Sequence, residues 1–387
     1  MIRSHKYRIY PTASQSEKLG EMLLCFCRLY NAALESRIDA YRKAGVTISY
    51  NEQAAGLKEI RECDEQYRQF SHTAKQKVLK RLDKAYRAFF ARIKRGQKAG
   101  FPRFKASARF NTAEFTYGDG LRLQGNRLRI VGIPAGIRVR WHRELPDGAK
   151  IKAATVSRRD GKWFVSLQFE CNDVLPVVPD SVVGIDLGLS SFIATSEGET
   201  LALPQFTKDN ARQLRKANRR LSRRKKGSGG WKTAKASVQK VHRRVAGERE
   251  KFIQSTSKRL IAQYNGIVLE DLNVKGLARG MLAKSVHNAA WSKFVHCLSY
   301  KAENAGKTVE FVNPAYTSQA CSGCGSIYHK TLAERVHNCP DCGLVLDRDV
   351  NAAVNILHKS NLWAETVQDA PTYRDAECVA SKAVCFS

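Results

Sequence analysis

The sequence predicts a multidomain α+β chain. An antiparallel unit of barrel or sandwich type, with helices inserted into it, is followed by an α/β unit that carries a cysteine-rich insertion. Three observations lead there. Apolar residues recur at helical spacing over residues 14–93 but alternate with period two over 121–170. Short apolar strands then alternate with helical stretches after residue 182. Finally, two C-x-x-C pairs stand between the last strand and the last helical stretch.

Residues Arg3 to Tyr10 alternate His5, Tyr7 and Ile9 with Lys6, Arg8 and Tyr10, the period of a half-buried strand, and Pro11 ends it. Ser14 and Glu17 read as a capping box. Leu19, Met22, Leu23, Phe26, Leu29, Tyr30, Ala33 and Leu34 then form one face of a long helix. A second amphipathic helix carries Val78, Leu79, Leu82, Ala85, Tyr86, Phe89, Phe90 and Ile93 on its apolar stripe. After the loop Gly100 to Lys105, Gly125-Asn126 turns one hairpin, Ile137 to Arg143 alternates, and Asp160-Gly161 joins two more strands. The strand at Arg3 to Tyr10 can complete this sheet, and Pro176 to Pro179 reads as a linker. An apolar strand at Val182 to Gly188 and two shorter strands come next. Residues 207–249 hold 16 basic and 2 acidic side chains interrupted by Gly227 to Gly230, the pattern of two cationic helices with a joint. A strand at Gly266 to Glu270, a helix at Ala283 to Ala305, a strand at Lys307 to Val312 and a helix from about Asp349 to His358 follow. Asn361 to Ser387 is polar, lacks a period and reads as a mobile tail.

The charge narrows the function. With 66 Lys and Arg against 36 Asp and Glu, the net +30 makes a compact chain repel itself unless a polyanion neutralises it, so nucleic acid is the expected partner. A hydrophobic fraction of 43% supports real cores and excludes a disordered basic tail. The longest purely apolar run, Met22 to Cys27, is far too short to span a membrane, and the first ten residues lack the apolar core of a signal peptide. A cytoplasmic, nucleoid-associated protein is expected.

Cys321, Cys324, Cys339 and Cys342 form two C-x-x-C knuckles, each followed by glycine. Such knuckles turn both thiolates to one tetrahedral ion, and four thiolates leave zinc no open position, so a structural Zn2+ is expected. Three carboxylates also stand out by position. Asp186 lies inside an apolar strand, Glu270 ends another, and Asp349 sits at the start of a helix. Singly they read as a turn former, a cap acceptor and an N-cap. Together, in a chain at +30, they suggest a divalent-metal nuclease.

GIDLG at Gly184 to Gly188, LEDL at Leu269 to Leu272, the paired C-x-x-C and DRDVNAAVNI at Asp347 to Ile356, in that order, resemble the RuvC-like nuclease domain of the TnpB family. These are transposon-encoded RNA-guided DNA endonucleases, relatives of type V CRISPR effectors. KYRIYPT at Lys6 to Thr12, GFPRFK at Gly100 to Lys105 and LSRRKKGS at Leu221 to Ser228 extend the resemblance over nearly all of residues 1–358. It implies a wedge-like β-barrel over 1–11 and 106–178, with a helical recognition domain inserted at 12–105. An RNase H-like (RuvC) nuclease domain over 179–315 and 344–360, a zinc ribbon at 316–343 and the tail at 361–387 complete the division. It further implies a catalytic triad of Asp186, Glu270 and Asp349 holding Mg2+ or Mn2+. Asp347 competes for the third place, but Asp349 is preferred because it begins the helix that carries Asn351 and Asn355.

The partners implied are a guide RNA from the transposon end and double-stranded target DNA cut beside a short motif, with the protein a monomer in the ribonucleoprotein. Tyr50 and Gln76 fall where the family touches that motif, an ordinary surface role being the other reading of both. Lys77, Arg81, Arg103, Lys105, Arg219, Arg220, Arg223, Arg224 and Lys225 would contact nucleic acid, chiefly backbone phosphates. Three rivals stay open. A binding module would only repress transcription. An actin-like ATPase shares an Asp-Leu-Gly strand but needs later glycine-rich loops. A transposase could use the same carboxylates, although His287 and His296, nine apart, do not form the paired histidines of the single-strand enzymes.

Overall fold

The computed structural model describes residues 1–277, 279–280, 283–331 and 334–368. The chain divides into two compact units, Met1–Asp173 and a second from Val174 onward. No helix among the described residues is long and apolar enough to cross a membrane.

The first unit is a closed seven-stranded barrel. Its strands are β1 (Ile2–Tyr10), β2 (Thr112–Tyr117), β3 (Gly120–Gln124), β4 (Arg127–Ile130), β5 (Ile137–Arg140), β6 (Lys150–Arg159) and β7 (Lys162–Glu170), in the spatial order β1-β5-β4-β3-β2-β6-β7. Closure rests on β1, which pairs antiparallel with β7 from Ile2 against Glu170 to Ile9 against Trp163, and with β5 on its other edge. The alternation seen in the sequence is the alternation of faces: Tyr7 and Ile9 are wholly buried, as are Val165 and Leu167. Asp160 and Gly161 both take left-handed φ, 53° and 73°, which matches the twist of the β6–β7 hairpin.

Between β1 and β2 the chain forms α1 (Ala13–Ala44), three short helices, and α2 (His72–Lys94). The N-cap of α1 is Thr12, whose hydroxyl accepts from the Gln15 amide while the Gln15 side chain returns to the Thr12 N–H, so the capping box is Thr12/Gln15 and not Ser14/Glu17. The apolar stripe of α2 is only half used. Val78, Leu79 and Leu82 are buried, but Phe90 and Ile93 are 58% and 51% exposed. Here α2 has run past the barrel core, and Tyr86, Phe89 and Phe90 pack on one another and on Phe101 instead.

The second unit is built on a five-stranded sheet of β8 (Val182–Asp186), β9 (Ser191–Thr195), β10 (Thr200–Ala202), β11 (Gly266–Glu270) and β12 (Thr308–Val312), ordered β10-β9-β8-β11-β12. The strands β8, β11 and β12 are parallel, and β9 and β10 continue the sheet antiparallel. The cationic stretch forms α3 (Ala211–Ser222) and α4 (Gly229–Gln263), the latter capped by Ser228. Apart from Ala234, the buried residues of α4 lie near its C-terminal end, where Ile253 and Leu260 join Phe192, Phe294 and Leu298 in a core. The helix expected at Ala283 to Ala305 is two: Ala283–Ala289, then α5 (Trp291–Asn304), because Ala290 adopts left-handed φ of 55° and breaks the ladder.

The helix α6 (Arg348–His358) packs on β8, with Ile356 and Leu357 meeting Val268 and Val312. Residues 336–338 and 345–347 pair as the hairpin β13 (Val336–Asn338) and β14 (Val345–Asp347). The expected tail begins instead as α7 (Asn361–Gln368), with Leu362 and Trp363 packed against the same cluster as α6; the rest of that stretch lies outside the described residues. Its start escaped the sequence reading because eight residues, about two turns, are too few to show a period.

A Cβ at Gly184 would stand 2.2 Å from the Ala353 carbonyl oxygen and 2.8 Å from the Leu357 nitrogen, backbone atoms of α6 that cannot rotate away. Gly184→Ala is expected to destabilise the second unit by about 1–3 kcal/mol or more through overpacking. Gly266→Ala, where a Cβ meets the Val182 side chain at 3.0 Å, should cost less. Urea unfolding of the two variants against the unmodified protein checks the order.

Candidate active site and metal centre

Two strands and one helix each deliver a carboxylate to one place. In the parallel register Leu269 lies beside Ile185, so the next residue of each strand, Glu270 and Asp186, shares a face on neighbours about 4.8 Å apart. Asp349 lies in the first turn of α6, and its Oδ2 would be 3.6 Å from a Cβ on Gly188, just past the end of β8. Burial pushes the Asp186 acid up to about 8, with the charges of Glu270 and then Asp349 adding to it and Arg348 opposing. Burial also raises Glu270, against a hydrogen bond donated by the Thr317 hydroxyl. It raises Asp349, where the charge of Asp347 adds. All three acids are thus raised, as expected of carboxylates gathered out of water with no cation beside them, and their oxygens are of the donor type that hard divalent cations take.

Asp347 has another task. Its exposed carboxylate is the N-cap of α6, accepting from the Asp349 amide at 2.8 Å and the Val350 amide at 3.2 Å. Asp349, two residues on, is the acid of α6 whose carboxylate oxygen stands near Gly188.

The four cysteines come together. Their sulfurs all lie within 4.8 Å of one another, with Cys321 to Cys342 at 3.6 Å and Cys324 to Cys339 at 3.5 Å. A tetrahedral ion with bonds of about 2.3 Å to sulfur sets its ligands roughly 3.8 Å apart, so the cluster fits one metal ion without rearrangement. Hydrogen bonding to Ser326, with smaller help from Cys339 and Cys342, holds the Cys324 thiol down at about 6 and readies one thiolate at neutral pH.

The residues expected at nucleic acid are dispersed over both units. Arg219 and Arg220 on α3, Arg223, Arg224 and Lys225 just after it, and Arg103 and Lys105 in the Gly100 loop are exposed. The Lys105 backbone is held by Asn31, whose side chain pairs with both its N–H and its carbonyl, at 2.8 and 2.9 Å. Tyr50 opens a short helix that packs on α2, half-buried beneath the Lys80 ammonium at 5.4 Å. Gln76 and Lys77 are half-buried on α2, Gln76 beside His72 at 3.4 Å. Arg81 differs from the rest. It donates to Thr112 at 3.0 Å and stacks over Phe110 at 5.1 Å, so its guanidinium is engaged within the first unit. Tyr50 also lines a cavity of about 870 Å³ with Arg37, Tyr86 and Phe90, in the first unit, whereas the carboxylates belong to the second. Thr317 escaped the sequence reading altogether, since a lone threonine four residues before Cys321 carries no periodic or motif signal.

Three family models match successive parts of the chain. Residues 1–45 match a family model described as a helix-turn-helix domain, 166–281 one described as "Probable transposase", and 291–356 the Cas12f1-like TNB domain. A Streptomyces pristinaespiralis protein named "Putative RNA-guided DNA endonuclease" is 35% identical over 369 residues, covering 92% of this chain and 88% of its own length. InsQ of Escherichia coli K12, carrying the same description, is 28% identical over 376 residues, 92% of each chain. Among solved structures, the Cas12f1–sgRNA–target DNA complex matches with a TM-score of 0.59 over 89% of this chain and 83% of that one, at 14% identity, a likeness of fold alone.

The raised acids set a pH dependence. A folded-state Asp186 that titrates at about 8, against roughly 3.9 when unfolded, keeps its proton where the unfolded chain has lost it. Its contribution to stability is therefore fully present below pH 4 and lost as pH rises through 8. In buffer without added divalent cations, Asp186→Asn is expected to match the unmodified protein in Tm near pH 4 and to exceed it increasingly toward pH 8. Differential scanning calorimetry across that range measures the gap, and a constant gap would refute the shift.

Proposed function

The chain belongs to the TnpB family of transposon-encoded RNA-guided DNA endonucleases, and from that premise we propose that it cuts double-stranded DNA by divalent-metal-dependent hydrolysis, beside a short target-adjacent motif, where a guide RNA from the transposon end pairs with the target. The observation that carries this reading is the meeting of Asp186, Glu270 and Asp349 at the ends of β8, β11 and α6 in a chain of net charge +30. The sheet order β10-β9-β8-β11-β12, with three parallel strands and two antiparallel ones, supports an RNase H-like (RuvC) nuclease domain. We assign the wedge role to the barrel strands and the recognition role to the helices between β1 and β2.

In this reading Asp186, Glu270 and Asp349 hold Mg2+ or Mn2+, and Cys321, Cys324, Cys339 and Cys342 hold one structural Zn2+. Bound at the carboxylates, the divalent ions stabilise charge on the attacking and leaving oxygens of the phosphodiester. The chain's own part is geometric. The sheet fixes Asp186 and Glu270 side by side, α6 brings Asp349 across from the facing element, and Asp347 is spent on the cap. Arg219, Arg220, Arg223, Arg224 and Lys225, with Arg103 and Lys105, bind backbone phosphates and set register without reading sequence. Tyr50 and Gln76 are assigned to the target-adjacent motif, where a glutamine can pair with adenine in the major groove.

Binding and cutting then separate. Asp186→Ala is expected to lower Mg2+-dependent cleavage of a guide-matched duplex by more than the roughly 10–100-fold that outer-shell changes cost, with guide and target affinity held. Glu270→Ala and Asp349→Ala should match it, and Asp347→Ala should keep partial activity. Cleavage by Asp186→Ala, or loss in Asp347→Ala with retention in Asp349→Ala, would overturn the triad.

Copurifying RNA should also be lost steeply with salt. If 6–10 phosphates are neutralised, affinity falls on the order of a thousandfold or more between 50 and 200 mM salt, as filter binding of the transposon-end transcript would measure. Cys324→Ser should lose the zinc found by elemental analysis, and unchanged stoichiometry would exclude it as a ligand.

A further inference from the structure

Three buried polar side chains lie between the cysteine cluster and the carboxylates. Asn351 is 0% exposed, Thr317 3% and Asn355 7%, and a buried polar group is tolerated only where its partners are fixed. Asn355 Nδ2 donates to the Thr317 and Ala320 carbonyls, both at 2.8 Å. Asn351 Nδ2 donates to the same Ala320 carbonyl at 2.8 Å, and its Oδ1 accepts from the Ser322 N–H at 2.9 Å. Cys321, a member of the four-sulfur cluster, stands between those two backbone groups. At the other end of the stretch the Thr317 hydroxyl donates to Glu270 Oε1, with the Pro314 carbonyl 3.0 Å away as its other acceptor. Both asparagines belong to α6, and Asn351 is two residues beyond Asp349.

Residues 317–322 therefore touch both centres. One end carries a cluster thiolate, the other holds a carboxylate of the acid site, and the middle is bonded to the helix that supplies Asp349. Resting on the reading of the carboxylates as a divalent-cation site, we propose that residues 317–322 are that site's outer shell, with Thr317, Asn351 and Asn355 as positioning residues, and that filling the cysteine cluster strengthens cation binding at the carboxylates. The physical grounds are local. A hydroxyl bonded to Oε1 fixes the Glu270 rotamer and leaves Oε2 for a cation. An empty cluster loosens Cys321, and with it the Ala320 and Ser322 backbone groups that Asn351 and Asn355 grip. Coupling of this kind is reciprocal, so cation binding at the carboxylates also favours the filled cluster.

The test uses the full chain freed of RNA at high salt, with Mn2+ as the probe and thermal protection as the readout, alongside zinc content and guide RNA binding. In the unmodified protein Mn2+ should raise Tm, and Asp186→Ala should abolish that rise. Thr317→Val keeps shape but removes the hydroxyl. It should retain zinc and guide binding while the Mn2+ concentration for half-maximal protection rises about 10–100-fold, and Thr317→Ser should restore it. Removing zinc from the unmodified chain should raise the same midpoint, and should raise it less in Thr317→Val, where the link to Glu270 is already cut. If Thr317→Val does not fold, Thr317→Ala takes its place in the same measurement. An unchanged midpoint in the folded variant, or a zinc effect of equal size in both proteins, overturns the proposal while leaving the carboxylate site standing. Absence of any Asp186-dependent protection by Mn2+ overturns the carboxylate reading and this inference with it.

Discussion

The helix that begins at Arg348 crosses β8 so closely that a Cβ on Gly184 would collide with the Ala353 carbonyl, and this contact governs the carboxyl edge of the sheet. Because α6 is pressed onto the strand, its first turn reaches the strand's end, where Asp349 comes beside Asp186 and Glu270. A larger residue at 184 would lift the helix and open the acids to water, which would return them toward ordinary carboxylate behaviour. Glycine in mid-strand is unfavourable by local propensity, and close backbone approach is one of the reasons it occurs there.

Much of this was legible from the chain. Period-two alternation in Arg3 to Tyr10 and in Lys162 to Glu170 marked the two strands that close the barrel, because half-buried strands show their faces directly in sequence. The cysteine knuckles were equally plain, since four ligands at C-x-x-C spacing admit few other geometries. What escaped was whatever depended on tertiary placement. The stripe on α2 runs on through Phe90 and Ile93, and periodicity cannot say that the barrel core ends before them. Ser14/Glu17 fitted the capping pattern as well as Thr12/Gln15 did, and only backbone geometry separates the two. The break at Ala290 has no glycine or proline to announce it. Thr317 was invisible because its partner Glu270 lies 47 residues away.

Charge is distributed in opposite senses. Over most of the chain lysines and arginines dominate and stand in water, where each costs little and a polyanion can find it. The carboxylates of Asp186, Glu270 and Asp349 are half-buried and adjacent, an arrangement that is unfavourable in the chain alone and that a bound cation would relieve. Stability is given up where the acids gather, while the basic surface keeps its hydration.

The closure of the barrel by β1 also constrains the order in which the protein can be made. Its edge partners are residues 138–140 and 163–170, so β1 leaves the ribosome with neither of them made and waits until β5 and then β7 have been synthesised. At roughly 5–20 residues per second the wait is on the order of ten seconds or more. Meanwhile α1 and α2, whose contacts are local by comparison, can form and pack. The nascent chain thus presents basic helices before it has a completed barrel, and an RNA able to engage them would meet the protein while it is still being translated.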